Sequence, residues 1–379
     1  MKPPEYYQGR EQTYLKHFFL ERYLERVAYN IGSFSRDFVY VDGFSGPWQS
    51  TDEAFQDTSF MVAISKLRAV RDGLSKIGRP PRIRCLFIEK DQTAFLSLQK
   101  AIQGVRDVEC HALNAEFEDV IGEVCRFVGE AFALVFIDPT GWTGFGLKRI
   151  EPILHHLPGE VIVNFMFDHI NRFLYDAKSV ESRNELFGGP GWEFVVQAKS
   201  RREEAVIGFY CDRMRQIGDF KYVTSTRILK PTEDRTYFHL VYGTRHPKGL
   251  IEFRKVEKQA IQEQERVRLD AKEADRLESS HQPFLPGLLA GPVLTELPFE
   301  SERSIRVSEA QSKLLAQLDR SGRVTYDDAL AFMLEIPLVF ESDVKSMIGR
   351  LEGTELIVEG RSKRERVPKY GYGHVLVKK

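Results

Sequence analysis

The stretch Phe38-Val39-Tyr40-Val41-Asp42-Gly43-Phe44-Ser45-Gly46-Pro47 decides the fold. Its first half is a short apolar run of the kind buried on both faces of a sheet, and its second half is a glycine loop. Two later runs repeat the ending: Ile83 to Glu89 reads IRCLFIE and Ala133 to Asp138 reads ALVFID. Each run stops on a carboxylate, and Asp138 leads into Pro139-Thr140-Gly141-Trp142. In an open parallel sheet, ligands bind at the carboxyl ends of strands, where the strand order reverses. Neighbouring strands lie roughly 5 Å apart, so three such ends gather three acids in one crevice. Their mutual repulsion calls for a polar or cationic ligand.

Outward from these runs the chain alternates. Helices are expected at 12–31, 57–74 (Asp57 as N-cap), 92–103, 115–128 and 146–156, with strands at 82–88, around Val108 to Leu113, 131–137 and 160–166. Such alternation predicts a parallel sheet of βαβ units. Residues 168–187 read as an irregular helical insertion and 201–217 as a further helix. Strands Lys221 to Leu229 and Arg235 to Gly243 then form a hairpin, which predicts an antiparallel edge. A charged helical run, 252–280, is expected to project or bridge. Pro283, Pro286, Gly287, Gly291, Pro292 and Pro298 mark a linker. Helices at 308–319, 325–334 and 341–352, then strands at 355–358 and 374–377, outline a winged helix-turn-helix. The expected fold is α/β, in three parts: 1–255, a charged helix and linker over 256–304, and 305–379.

The loop after Asp42 offers Gly43-x-x-Gly46, without the third glycine of a dinucleotide fingerprint, and no P-loop occurs. A sulfonium nucleoside, S-adenosylmethionine, suits the acids better than a phosphate does. Glu89 is placed for ribose hydroxyls. Asp42, Gly43, Phe44 and Gly46 shape the donor pocket, the glycines letting backbone approach without Cβ atoms. Asn114 and Glu116 are placed for the adenine edge. Asp138, with Pro139 stiffening its turn, can accept from a planar amino group on which Trp142 stacks.

Taken in order, Lys16-His17, Tyr40 to Pro47, Phe87-Ile88-Glu89, Phe136-Ile137-Asp138-Pro139-x-Gly141-Trp142, Asn164-Phe165-Met166, Asn171-Arg172 and Leu186-Phe187-Gly188 resemble the three-Cys-motif partner proteins, TcmP. The resemblance covers most of residues 12–260. It implies a class I S-adenosylmethionine-dependent methyltransferase with a Rossmann-like seven-stranded sheet and a C-terminal winged helix. It also places Lys16 and His17 at the cofactor site and implies a separate three-cysteine partner protein. Thr140-Gly141-Trp142 departs from the Asp-Pro-Pro-Tyr pattern of amino-methyltransferases, so the target atom stays open.

Plainer readings stand beside these. The three acids can simply end strands and cap turns. His17 can be a satisfied boundary histidine, Trp142 a packing residue, and Asn171-Arg172 a brace for the insertion. A metal-dependent nuclease needs acid-x-Lys on one strand face, whereas Glu89 and Lys90 are adjacent and point to opposite faces. No metal site is expected.

The 379 residues carry 54 basic and 55 acidic side chains, so no global field attracts nucleic acid or a membrane. Residues 357–379 differ, with seven basic residues (Arg361, Lys363, Arg364, Arg366, Lys369, Lys378, Lys379) against Glu359 and Glu365. With Tyr370 and Tyr372 interleaved, they suit a wing tracking DNA or RNA phosphates, or a protein-binding hairpin. The acidic start of 341–352 argues against sequence-specific reading. Cys85, Cys110, Cys125 and Cys211 stand singly, and no apolar run is long enough for a membrane span. A cytoplasmic location is expected. The function expected is methyl transfer to an amino nitrogen of a nucleic-acid or nucleotide-like substrate. The alternative is a non-catalytic methyltransferase-fold module that regulates, or binds DNA or protein, with the three-cysteine partner.

Overall fold

Seven strands order the N-terminal part of the molecule, a computed structural model, into one mixed sheet. The structure describes residues 1–46, 50, 52, 55–156, 158–173, 180–197, 201–280, 299–362 and 364–379. Pro47, Lys363 and the linker residues Pro283 to Pro298 named above lie outside the described residues. The chain divides into two compact units, Met1–Arg245 and His246–Lys379.

In the first unit the strands are β1 (Asp37–Asp42), β2 (Arg82–Glu89), β3 (Glu109–Asn114), β4 (Phe132–Ile137), β5 (Gly159–Phe165), β6 (Tyr222–Leu229) and β7 (Thr236–Thr244). The first five run parallel; β7 lies antiparallel between β5 and β6, so the expected hairpin does close the sheet edge. Across the sheet the order is β3-β2-β1-β4-β5-β7-β6, which reverses between β1 and β4 and puts the switch point at the end of the Asp42 run. The central strands are buried on both faces, which is why they read as unbroken apolar runs.

The helices are α1 (Glu11–Gly32), α2 (Ser59–Lys76), α3 (Gln92–Gln103), α4 (Ile121–Val128), α5 (Glu151–Leu154), α6 (Phe167–Phe173), α7 (Val180–Leu186), α8 (Glu193–Val196) and α9 (Arg202–Gly218). Two are shorter than their periodicity suggests. Residues 115–128 break into a 3-10 turn, Phe117–Asp119, before α4, because Phe117 is drawn into the core. Of residues 146–156 only α5 is helical, behind a loop in which Gly144 takes φ +86°. Thr58, not Asp57, caps α2, accepting from the Met61 N–H at 3.4 Å.

One buried polar cluster fastens α1 to the far side of the sheet. Tyr23 donates to Glu160 Oε2 at 2.6 Å, its hydroxyl lies 2.6 Å from that of Tyr242, and Thr244 donates to Glu160 Oε1 at 3.0 Å. Burial pushes the Glu160 carboxyl upward in pKa. Tyr23, Tyr242, Glu160 and Thr244 sit on α1, β7, β5 and β7, so three elements share one hydrogen-bonded knot.

The second unit comprises α10 (Pro247–Ser280), α11 (Glu300–Ser321), β8 (Arg323–Thr325), α12 (Tyr326–Leu334), α13 (Glu341–Leu351), β9 (Leu356–Glu359) and β10 (Val375–Lys378), with an antiparallel sheet ordered β8-β10-β9. The first turns of α10 do not project. Phe253, Val256, Ala260 and Val267 are buried, a stripe at helical spacing, and the buried Arg254 donates to the carbonyls of Leu334 and Glu335 at the end of α12. In the tail, Arg361 grips Glu352 at 2.6 and 2.9 Å, Lys369 lies 3.4 Å from Glu365, and Lys378 pairs with Asp319. Three of the tail's basic residues are thus paired within their own unit.

Candidate functional site

The register puts the three strand-end acids on one face. Asp42 aligns with Phe87 on one side and Phe136 on the other. Glu89 and Asp138 stand two residues beyond those partners, so all three side chains leave the sheet in the same direction. Each outer acid also faces an asparagine on the next strand. Glu89 pairs in register with Asn114, and Asp138 follows the Ile137–Val163 pair opposite Asn164.

Asp42 is fully buried. Its Oδ2 accepts from Ser59 Oγ at 2.8 Å and its Oδ1 from the Phe44 N–H at 3.1 Å. Burial pushes its carboxyl up to about 6, opposed by those hydrogen bonds and reinforced by Asp138. Because the folded value lies above the ordinary 3.8, the fold is penalised as pH rises through 4 to 6, and the full cost stands above about 6. Keeping Asp42 ionised at neutral pH costs on the order of 3 kcal/mol. Asp42→Asn should therefore raise stability against urea at pH 7.5 and lose that advantage at pH 4. An equal difference at both pH values would contradict the burial argument.

The loop after Asp42 is stitched to both neighbours. The Gly43 N–H donates to the Phe136 carbonyl at 2.9 Å and the Ser45 N–H to the Ile88 carbonyl at 2.8 Å. A Cβ on Gly43 would meet Phe117 Cδ2 at 2.9 Å, so the glycine lets an aromatic ring pack flat on the backbone. Phe44 in turn sits 5.9 Å, centroid to centroid, from Phe117.

Glu89 is buried, and its Oε1 accepts from the Asp91 N–H at 2.7 Å. Asn114 donates to the Glu89 carbonyl at 2.8 Å and the Lys90 carbonyl at 3.2 Å, which commits its amide nitrogen to holding that corner. Glu116 lies 3.5 Å from Lys90.

Asp138 is clasped from two sides, by Lys16 Nζ at 2.5 Å and by Asn164 Nδ2 at 2.6 Å. Beside it opens a cavity of about 270 Å³ whose walls include Lys16, His17, Phe44, Gly46, Asp138 and Pro139. His17 is buried and neutral: burial, then Lys16 and Arg10, hold its pKa well below the ordinary value, and its Nδ1 lies 3.2 Å from the Tyr7 hydroxyl. Asp42, Gly43, Glu89, Asn114 and Trp142 do not line this cavity. Trp142 is half-buried and packs against the core instead.

Several wall residues escaped the sequence reading. Arg10 pairs with Asp57 at 3.1 Å, and Ser50 donates to Asp57 at 2.5 Å, which frees Thr58 to cap α2. Tyr237 and Phe238 also line the cavity, beside Met166 of the Asn164-Phe165-Met166 run. Arg10 carried no signal beyond its charge, Asp57 read only as a helix cap, and the aromatic pair read as ordinary strand. Among the described residues, no three His, Cys, Asp or Glu side chains cluster to hold a metal ion, and no helix is long and apolar enough to cross a membrane.

No protein-family model matches the chain, and no curated protein matches it in sequence. Among solved structures, a loganic acid methyltransferase with SAH is similar over 70% of this chain and 88% of its own, at 9% identity and a TM-score of 0.28. So distant a likeness carries no argument. The fold is α/β with a seven-stranded mixed sheet.

Proposed function

We propose that the chain is an S-adenosylmethionine-dependent methyltransferase of TcmP type that modifies an amino nitrogen of a nucleic-acid or nucleotide-like substrate. The observation that carries this reading is the shared face of Asp42, Glu89 and Asp138 at the carboxyl ends of adjacent strands. The buried acids at the ends of β1 and β2, Asp42 and Glu89, would suit a cationic nucleoside better than a phosphate. Glu89 would hold the ribose hydroxyls, and the loop from Gly43 to Gly46 would pass close to the ligand. The cofactor would supply an electrophilic methyl group.

The protein's own contribution is placement. Asp138, aimed into the cavity beside Pro139, can accept a hydrogen bond from an acceptor N–H, and that bond strengthens as positive charge develops on nitrogen. Lys16 must yield part of its hold on Asp138 for this to happen. The element order of His246–Lys379, helix–strand–helix–helix–strand–strand after α10, supports a winged helix-turn-helix that docks DNA, RNA or a three-cysteine partner protein. Residues 1–255 would form the catalytic part and 256–304 the connection, in a cytoplasmic protein.

Calorimetry with S-adenosylhomocysteine, paired with tritiated methyl transfer to single strands and nucleotides, tests the reading. Binding together with label on an acceptor is expected, and absence of binding at millimolar ligand would overturn it. Binding without transfer would favour the second reading, a non-catalytic module. The observation on that side is that Lys16 and Asn164 already satisfy Asp138.

A further inference from the structure

Beside the cavity, a second charged constellation gathers around Asp168. Asp168 lies on α6 two residues beyond Met166, and Arg235 stands two residues before Tyr237; Met166 and Tyr237 are both cavity walls. Asp168 is buried, yet three cations reach it: Arg172 at 2.7 Å, Arg235 at 3.2 Å and Lys230 at 3.4 Å. Arg172 approaches Oδ2 and Arg235 approaches Oδ1, so the two guanidinium groups flank one carboxylate. A second acid, Glu233, stands 3.4 Å from Arg235 and 3.6 Å from Lys230.

One cation suffices to neutralise a buried acid, so a pair of arginines on Asp168 exceeds what burial demands. Both also reach the surface, for the Arg172 and Arg235 side chains are 65% and 62% exposed. Arg172 spends a single terminal nitrogen on Asp168, leaving the rest of its fork open to solvent. A guanidinium held in place by a buried acid has little side-chain entropy left to lose and presents planar donors matched to phosphate oxygens.

We propose that Arg172 and Arg235, braced by Asp168, grip a backbone phosphate of a single-stranded polynucleotide whose base enters the cavity. The inference rests on the methyltransferase reading of that cavity and narrows its acceptor from a nucleic-acid or nucleotide-like substrate to a single-stranded polynucleotide. It also gives Arg172 a task other than bracing the insertion.

The test uses the full chain and a fluorescein-labelled single-stranded oligoadenylate, followed by anisotropy across a salt series. Arg172→Gln with Arg235→Gln should weaken binding by about tenfold or more. It should also flatten the slope of log affinity against log salt by about 0.7 for each phosphate no longer neutralised. Because those changes also strip partners from a buried acid, a second variant, Arg172→Lys with Arg235→Lys, keeps the charge. It should restore the slope while recovering only part of the affinity. Unchanged affinity and slope in the glutamine variant would overturn the proposal, as would a parent chain that ignores the oligonucleotide. Adenosine monophosphate binding as tightly as the strand would also overturn it. S-adenosylhomocysteine affinity, measured in the same proteins, separates the two ideas: failure there sinks the donor site alone, whereas a strand that never depends on the arginines sinks only the phosphate grip.

Discussion

Asp138→Ala is expected to slow methyl transfer by roughly a hundred- to a thousandfold, the usual loss when one preorganised charge-stabilising group is removed. Donor affinity should stay within about threefold of the parent, because Glu89, the residue proposed to hold the ribose, lies at the end of a different strand. Two effects add at Asp138. The acceptor loses its hydrogen-bond partner, and Lys16, now without its carboxylate at 2.5 Å, leaves an uncompensated positive charge in the cavity. That charge opposes the cation forming on the amino nitrogen. Single-turnover transfer and calorimetry on the same preparation separate the two quantities. A fully active variant would remove Asp138 from the acceptor site.

Glu89→Ala should act on the other ligand. Hydrogen bonds to a charged acceptor contribute about 1.5–3 kcal/mol each, so losing a bidentate grip on two hydroxyls should cost about a hundredfold or more in S-adenosylhomocysteine affinity. The substitution also removes the acceptor of the Asp91 N–H, and Asp91 caps α3 by accepting from the Ala94 N–H at 2.8 Å. Glu89→Gln controls for this, since its amide oxygen can still accept that bond. If both variants bind the ligand as the parent does, the ribose assignment is lost, whatever happens to α3.

Much of this architecture is legible in the sequence because its signals are local. The runs ending at Asp42, Glu89 and Asp138 are buried on both faces, and a buried parallel strand announces itself as an apolar stretch. The hairpin of β6 and β7 is equally plain. What escapes is whatever depends on a distant partner. Nothing in residues 115–128 says that Phe117 will leave helical register to pack on Gly43. Nothing around Asp57 says that Arg10, 47 positions earlier, will claim its carboxylate.

The charged run 252–280 misleads for a related reason. Its high polarity hides a buried stripe containing Phe253, Val256 and Ala260. The cavity shows the same limit. Lys16, His17, Phe44, Gly46, Asp138 and Pro139 meet there, but Glu89, Asn114 and Trp142 do not, and strand order alone cannot tell a wall from its neighbour.

The knot of Tyr23, Glu160 and Tyr242 bears on how an incoming molecule enters. Lifting the first helix away would take the Tyr23 hydroxyl from both Glu160 and Tyr242 and leave the buried carboxyl group one donor short, at a cost of about 1–3 kcal/mol for each bond abandoned. That helix therefore behaves as masonry and not as a door. The movable part is the butylammonium arm of Lys16, which can swing on its own single bonds while the backbone beneath it stays put.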